Sequence, residues 1–217
     1  MEKIKIFFKV PWAHKFFKIL KWVFFILIIL YILAVIARGF YRAQESKIAE
    51  QVEKIHNTKL TMDDVMGVNL PPPPGELADA TVEGIDANNN GIRDDVELAV
   101  FKEYPNSAKT RAVLLQYALV LQMQMIQPIL DTETVVASIQ EEDRAYIFIG
   151  EILVKDENDE KIMGKYFKDA DYLTEFVFNK QLDTEERKKY RTTFYDYIGS
   201  YSSLPHVCDI DYSKLSN

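Results

Sequence analysis

The residues best suited to chemistry lie between 86 and 97. Counting Asp86 as position 1 places Asn88 at 3, Asn90 at 5, Gly91 at 6, Asp94 at 9 and Glu97 at 12. This is the D-x-[DN]-x-[DN]-G-x₅-E spacing that surrounds a hard cation with oxygen. Alternate side chains at 1, 3 and 5 turn their oxygens to one side, and Gly91 permits the positive φ of a sharp turn. The Ile92 carbonyl then faces back, and Glu97 can close the sphere with both oxygens. Asp94 to Phe101 reads as the first turns of a helix with acids at its positive end, so Glu97 already stands on regular structure. Without a cation, the same Asn, Asp and Gly residues make a turn and a helix start.

On these residues the segment resembles the calcium-binding loops of the EF-hand superfamily, including the single loop-helix units of dockerin-like bacterial modules. The resemblance spans a dozen of the 217 residues. It implies Asp86, Asn88, Asn90, the Ile92 carbonyl, Asp94 through water, and Glu97 as calcium ligands. Position 8, an aliphatic in paired loops, is Arg93, and residues 78–84 offer no entering helix. A second loop is also missing, since residues 156–160 lack the glycine and the spacing. An unpaired loop of three carboxylates implies a dissociation constant near ~10⁻⁴–10⁻³ M and a structural ion that joins linker to helices.

Helical periodicity dominates the chain after the loop. A stripe of Leu114, Ala118, Leu121 and Met125, widened by Val113, Tyr117 and Val120, predicts a broadly buried helix over about 107–127. Pro128 ends it, and Asp131 or Thr132 can cap a second helix with Val135, Ile139, Tyr146, Gly150 and Leu153 inward. A third includes Tyr172, Phe176 and Val177. A fourth is expected to start at an Asp183 N-cap with Glu186 three residues on, carrying Tyr190, Phe194, Tyr197, Ile198 and Tyr201 on one face. No alternating strand pattern of useful length occurs, so the expected fold is all-α, a helical bundle over 86–217.

Before the loop, Pro71 to Pro74 and Gly75 exclude a helix and predict a polyproline II spacer within a linker over 71–85; a proline-recognition ligand is the alternative. Ile48, Val52 and Ile55 recur at helical spacing in a polar stalk over 38–70, too sparse for a solid core and too short for a firm coiled coil.

The run from Trp22 to Ala37 holds sixteen residues without a charge. Adding Ile19, Leu20 and a snorkelling Lys21 gives a span over 19–37 of roughly 28 Å, matched to a bilayer core. Six lysines precede the uncharged run, five of them in a basic segment over 1–18, and three basic residues closely follow, which places the N-terminus in the cytoplasm. A cleaved signal peptide ending at Ala37 is the competing reading; the long basic segment and the aromatic belt of Trp12, Phe16, Phe17 and Trp22 favour an uncleaved anchor.

Charge divides the chain in the same way. Residues 1–44 carry eight Lys/Arg against one acid, and residues 75–217 carry 15 against 27. An acidic main domain excludes a nucleic-acid partner. A lone Cys208 excludes an internal disulfide, and His14, His56 and His206 are too scattered for a zinc site. No nucleophile elbow, HExxH, Walker A, GxGxxG or CxxC motif occurs. Glu141, Glu142 and Asp143, or Asp63 and Asp64, read as solvated acids, and His206 with Cys208 lacks a third group. The expectation is a single-pass protein of the bacterial inner membrane whose C-terminal domain faces the periplasm or cell exterior. That domain would be non-enzymatic and would meet an envelope protein partner, with its oligomeric state open. The alternative is a cell-envelope hydrolase using carboxylates that no motif advertises.

Overall fold

The computed structural model describes residues 11–153, 160–205 and 209–215, without the side chains of 11, 13, 14, 151–167 and 169. Among these residues it is all-helical. Seven α-helices run α1 (Pro11–Asn57), α2 (Met62–Met66), α3 (Asp94–Glu103), α4 (Ala108–Ile126), α5 (Thr132–Leu153), α6 (Glu160–Gln181) and α7 (Glu185–Tyr195). Two 3₁₀ turns, Gly75–Asp79 and Tyr212–Lys214, complete the regular structure.

Two compact units divide after Ala49, not at the prolines. Helix α1 is long and apolar enough to cross a membrane, with a mean hydropathy of 2.9 over its most apolar eighteen residues. Every residue from 15 to 47 is exposed. The expected stalk helix is continuous with the span, because no Gly-Pro pair or cap interrupts residues 38–57.

The second unit is built around α4. Ser107 caps it by accepting from Thr110 N at 3.1 Å, and sixteen of its nineteen residues are buried. Such a helix has no solvent face to keep polar, so it must be enclosed all round. α2, α3, α5, α6 and α7 all pack on it. The core also takes in Ile55, Leu60 and Val65, all N-terminal to the prolines. The sparse stalk pattern hides this, since each of the three residues enters the core singly from a different turn. Arg111 of α4 fixes the arrangement through Val65 O at 3.1 Å and the carbonyls of Tyr104 and Pro105 at 3.0 and 2.7 Å.

Two expected features shift. The N-cap of α7 is Thr184, which accepts from Arg187 N at 3.2 Å, and Asp183 is released for ion pairs. The helix ends at Tyr195, so Tyr197, Ile198 and Tyr201 leave the expected stripe and stand exposed. Phe194 does pack inward, with Val135 and Ile139. On α5 the inward face holds Ala145, Phe148 and Ile149; the Leu153 side chain lies outside those described. On α6, Val177 is buried while Tyr172 is exposed.

Candidate metal centre

Residues 86–97 form a loop closed on its own backbone and opening into α3. Asp86 turns inward: its Oδ1 accepts from Asn90 N at 3.1 Å and its Oδ2 from Gly91 N at 2.8 Å. Asn90 Oδ1 accepts from Ile92 N at 2.9 Å, and Asp94 Oδ1 reaches across to Ala87 N at 2.9 Å. Asp94 N donates to Ile85 O at 2.8 Å, tying the start of α3 to the residue before the loop. Gly91 has φ +84°, and a Cβ there would lie 2.8 Å from Leu119 Cδ1, so both the turn and the packing on α4 call for glycine. Asn89 is the one other loop residue with positive φ, at +58°, a region asparagine tolerates.

The six sequence-predicted residues are therefore on one loop, and two of the carboxylates lie deep. Asp94 and Glu97 are each 1% exposed. Asp94 Oδ2 is buried without a hydrogen-bond partner. Glu97 Oε2 accepts from Asn88 Nδ2 at 3.1 Å, and no basic side chain pairs with it among the described residues. Burial pushes the Glu97 carboxyl up to about 7 against the contacts from the Asn88 and Asn90 amides, with the charges of Asp64 and Asp94 adding to the rise. Asp94 is also raised, first by burial and then by Asp86 and Asp95, while Ala87 N–H opposes. Burial without a basic partner among the described residues is what raises both carboxyls.

These residues fit a hard oxygen-preferring ion, with Ile92 N–H engaged at Asn90 and its side chain in the core. The limit of the fit is equally plain. Among the described residues no three Asp, Glu, His or Cys side chains are gathered at one point. Two of the five candidate side chains, Asn88 and Asn90, are amides, and Asp86 spends both oxygens on backbone N–H groups.

Arg93, the departure at position 8, turns away from the loop and is fully buried. Its guanidinium donates to Asp95 Oδ1 at 2.5 Å and Oδ2 at 2.8 Å, to the α6 carbonyls of Lys180 and Gln181 at 2.6 and 3.1 Å, and to Asp183 Oδ2 at 3.1 Å. Where a paired loop would place an aliphatic against its twin, this chain places a cation against the negative end of a helix. Asp183 also accepts from Arg187 Nη1 at 2.5 Å. Arg187, likewise fully buried, gathers Ala78 O, Thr81 O and Val82 O at 2.5, 3.2 and 3.0 Å, and Asp79 Oδ1 at 2.6 Å. The segment after the prolines is thereby strapped to α7. The arginines carry no motif in sequence, and the single hint was the misfit at position 8.

The acidic run on α5 is not a solvated face. Glu141 sits 2.7 Å from His56 Nδ1, 3.3 Å from Lys59 Nζ and 2.6 Å from Arg144 Nη1. Lys59 also pairs with Asp209 at 3.3 Å. Glu142 accepts from Arg191 Nη2 at 2.8 Å, Tyr195 OH at 2.8 Å, Gln124 Nε2 at 2.6 Å and Tyr117 OH at 3.3 Å. Burial, then the Glu142 charge, pushes the Tyr195 phenol up to about 12. Both acids are held by partners. Residues 156–159, His206 and Cys208 lie outside the described residues. Comparison with family models, curated proteins and solved structures found no match to this chain.

Proposed function

We propose that this protein is a single-pass membrane protein whose exported helical domain holds one structural calcium ion in the 86–97 loop and presents its surface to an envelope partner. The observation that carries the metal is the pair of buried carboxylates, Asp94 and Glu97, one with an orphaned oxygen and neither with a basic partner among the described residues. When bound, calcium would supply the divalent charge that lets both remain ionised. Asp86, Asn88, Asn90, the Ile92 carbonyl, Asp94 and Glu97 would hold it. Arg93 fastens the loop to α6 and α7, so occupancy would stiffen the joint and not open a groove. Orientation follows the lysine excess before the span. Glu141 and Glu142 of the acidic run on α5 are occupied by ion pairs and hydrogen bonds, which supports a binding role over an enzymatic one.

Calorimetry on the full chain in detergent, stripped with chelator, tests the metal. Calcium heat with one site per chain is expected, together with a rise in melting temperature. At ten times the dissociation constant, mass action stabilises the fold by about 1.4 kcal/mol. No heat and no shift at millimolar calcium would leave only a turn and a helix start. Orientation is tested by a membrane-impermeant maleimide on Cys208 in sealed spheroplasts, with labelling in detergent as the access control. Labelling from outside is expected, and labelling only after lysis would reverse the topology.

A further inference from the structure

Asn88, at position 3 of the loop, is gripped from outside it. Its Nδ2 donates to the Asn69 main-chain carbonyl at 2.9 Å and to Glu97 Oε2 at 3.1 Å, while its Oδ1 accepts from Asn90 N at 3.3 Å. The amide has one chemically permitted orientation. Asn69 O can only accept, and so can an ionised Glu97, so the atom facing both must be the donor nitrogen.

Resting on the calcium reading above, we propose that the Asn69 carbonyl is a positioning group of the metal centre, fixing the Asn88 amide with Oδ1 turned into the loop. If a cation takes Glu97 Oε2, the bond to Asn69 remains and keeps that orientation. Asn69 is itself held in place. Gly67 closes α2 at φ +69°, with Gly67 N and Val68 N donating to Asp64 O and Asp63 O at 3.1 and 3.0 Å. A Cβ at Gly67 would lie 2.8 Å from Phe101 Cε1, so the turn rests against α3, the helix that leaves the loop. The short α2 and its closing turn thus supply, from across the proline segment, part of the support that an entering helix would give.

This assigns a reason to asparagine at position 3. An aspartate there would set an oxygen against the Asn69 carbonyl oxygen, acceptor against acceptor, and would rotate away. Position 5 is different. Asn90 Nδ2 is buried and faces the Glu97 carboxylate without a bond of ordinary geometry, and no main-chain carbonyl among the described residues holds it, so an aspartate there meets no fixed acceptor from outside the loop and adds a charge. Counting charge alone makes both substitutions tighten calcium binding. The Asn69 contact separates them.

Calcium titrations of the full chain in detergent decide between these outcomes. Asn90→Asp is expected to tighten binding by about three- to tenfold, and Asn88→Asp to weaken it by about threefold or more, at unchanged helicity. Tightening by Asn88→Asp comparable to that of Asn90→Asp overturns the proposal. Should Asn88→Asp not fold, the ¹⁵N-labelled wild type carries the test. Asn88 side-chain amide protons that stay slow to exchange at saturating calcium support the Asn69 contact, and fast exchange overturns it. Absence of calcium heat from the wild type and both variants removes the metal reading and this proposal together, whereas calcium heat with an equal response at 88 and 90 removes this proposal alone.

Discussion

Glu97 makes the stability of the metal-stripped protein depend on pH. Burial, which disfavours the charge, pushes its folded-state carboxyl up to about 7, above the ordinary glutamate value of 4.5. Between those values the folded chain holds a proton that the unfolded chain releases, so stability falls as pH rises and flattens above 7. The full shift corresponds to about 3 kcal/mol as an upper bound. Urea midpoints of stripped protein should therefore drop from pH 5 to pH 8. Glu97→Gln should remove most of that slope and raise stripped-state stability at pH 8, while abolishing the calcium response. A flat wild-type profile would show that Glu97 is charged without cost. Calcium should reverse the slope, because protons compete with the ion as pH falls. Arg93 makes a second case. Arg93→Leu leaves Asp183 short of a partner and two α6 carbonyls without their donor, and should cost about 3–5 kcal/mol by urea unfolding. Arg93→Lys should recover only part, since an ammonium cannot match five fork-like contacts.

The helices of the bundle were readable from periodicity because α4 and α5 carry long apolar stripes, and burial of those stripes is what makes them helices. The ends were less readable. Asp183 and Thr184 are both good N-caps, and the choice falls to Thr184 because two buried arginines claim the aspartate. Nothing local to residues 183–186 encodes that competition. The 86–97 loop could be singled out as a turn opening into a helix because its residues are contiguous, whereas the Asn69 carbonyl, Arg187 and Asp209 act across long separations without a motif. The segment between prolines and loop gives a sharp test of such packing. Gly84 has φ +69°, and a Cβ would lie 2.5 Å from Arg93 Cδ. Gly75 has φ +62° with open space around it. Gly84→Ala should therefore destabilise by about 2–4 kcal/mol and Gly75→Ala by about 1 kcal/mol, measured as paired melting or urea curves. Equal costs would mean that Arg93 yields easily.

The compact unit that follows Ala49 defines what should fold without the apolar N-terminal segment. Residues 50–217 are expected to give a soluble, helical, cooperatively unfolding protein. A chain beginning at residue 75, the boundary that the prolines suggest, loses Ile55, Leu60 and Val65 from the core, the Val65 carbonyl from Arg111, and His56 and Lys59 from Glu141. Large core truncations cost about 2–5 kcal/mol each, so three losses exceed much of a domain's stability. The shorter chain should aggregate or melt without a cooperative transition, by circular dichroism and gel filtration. Comparable melting of the two chains would show that the residues before the prolines are dispensable.

Arg93 and Arg187 each bind partners 87 to 109 residues away along the chain. A chain that emerges N-terminus first, from a ribosome or through a membrane pore, therefore completes the loop's sequence long before its supports exist. Until residues 180–187 arrive, the Arg93 guanidinium has no helix end to meet, and residues 78–82 have no arginine to gather their carbonyls. Calcium capture would then be a late event in the life of the chain, timed by the last helices and not by the twelve residues that contain the ligands. A stop codon after residue 179 would leave those twelve residues intact and still forfeit the site.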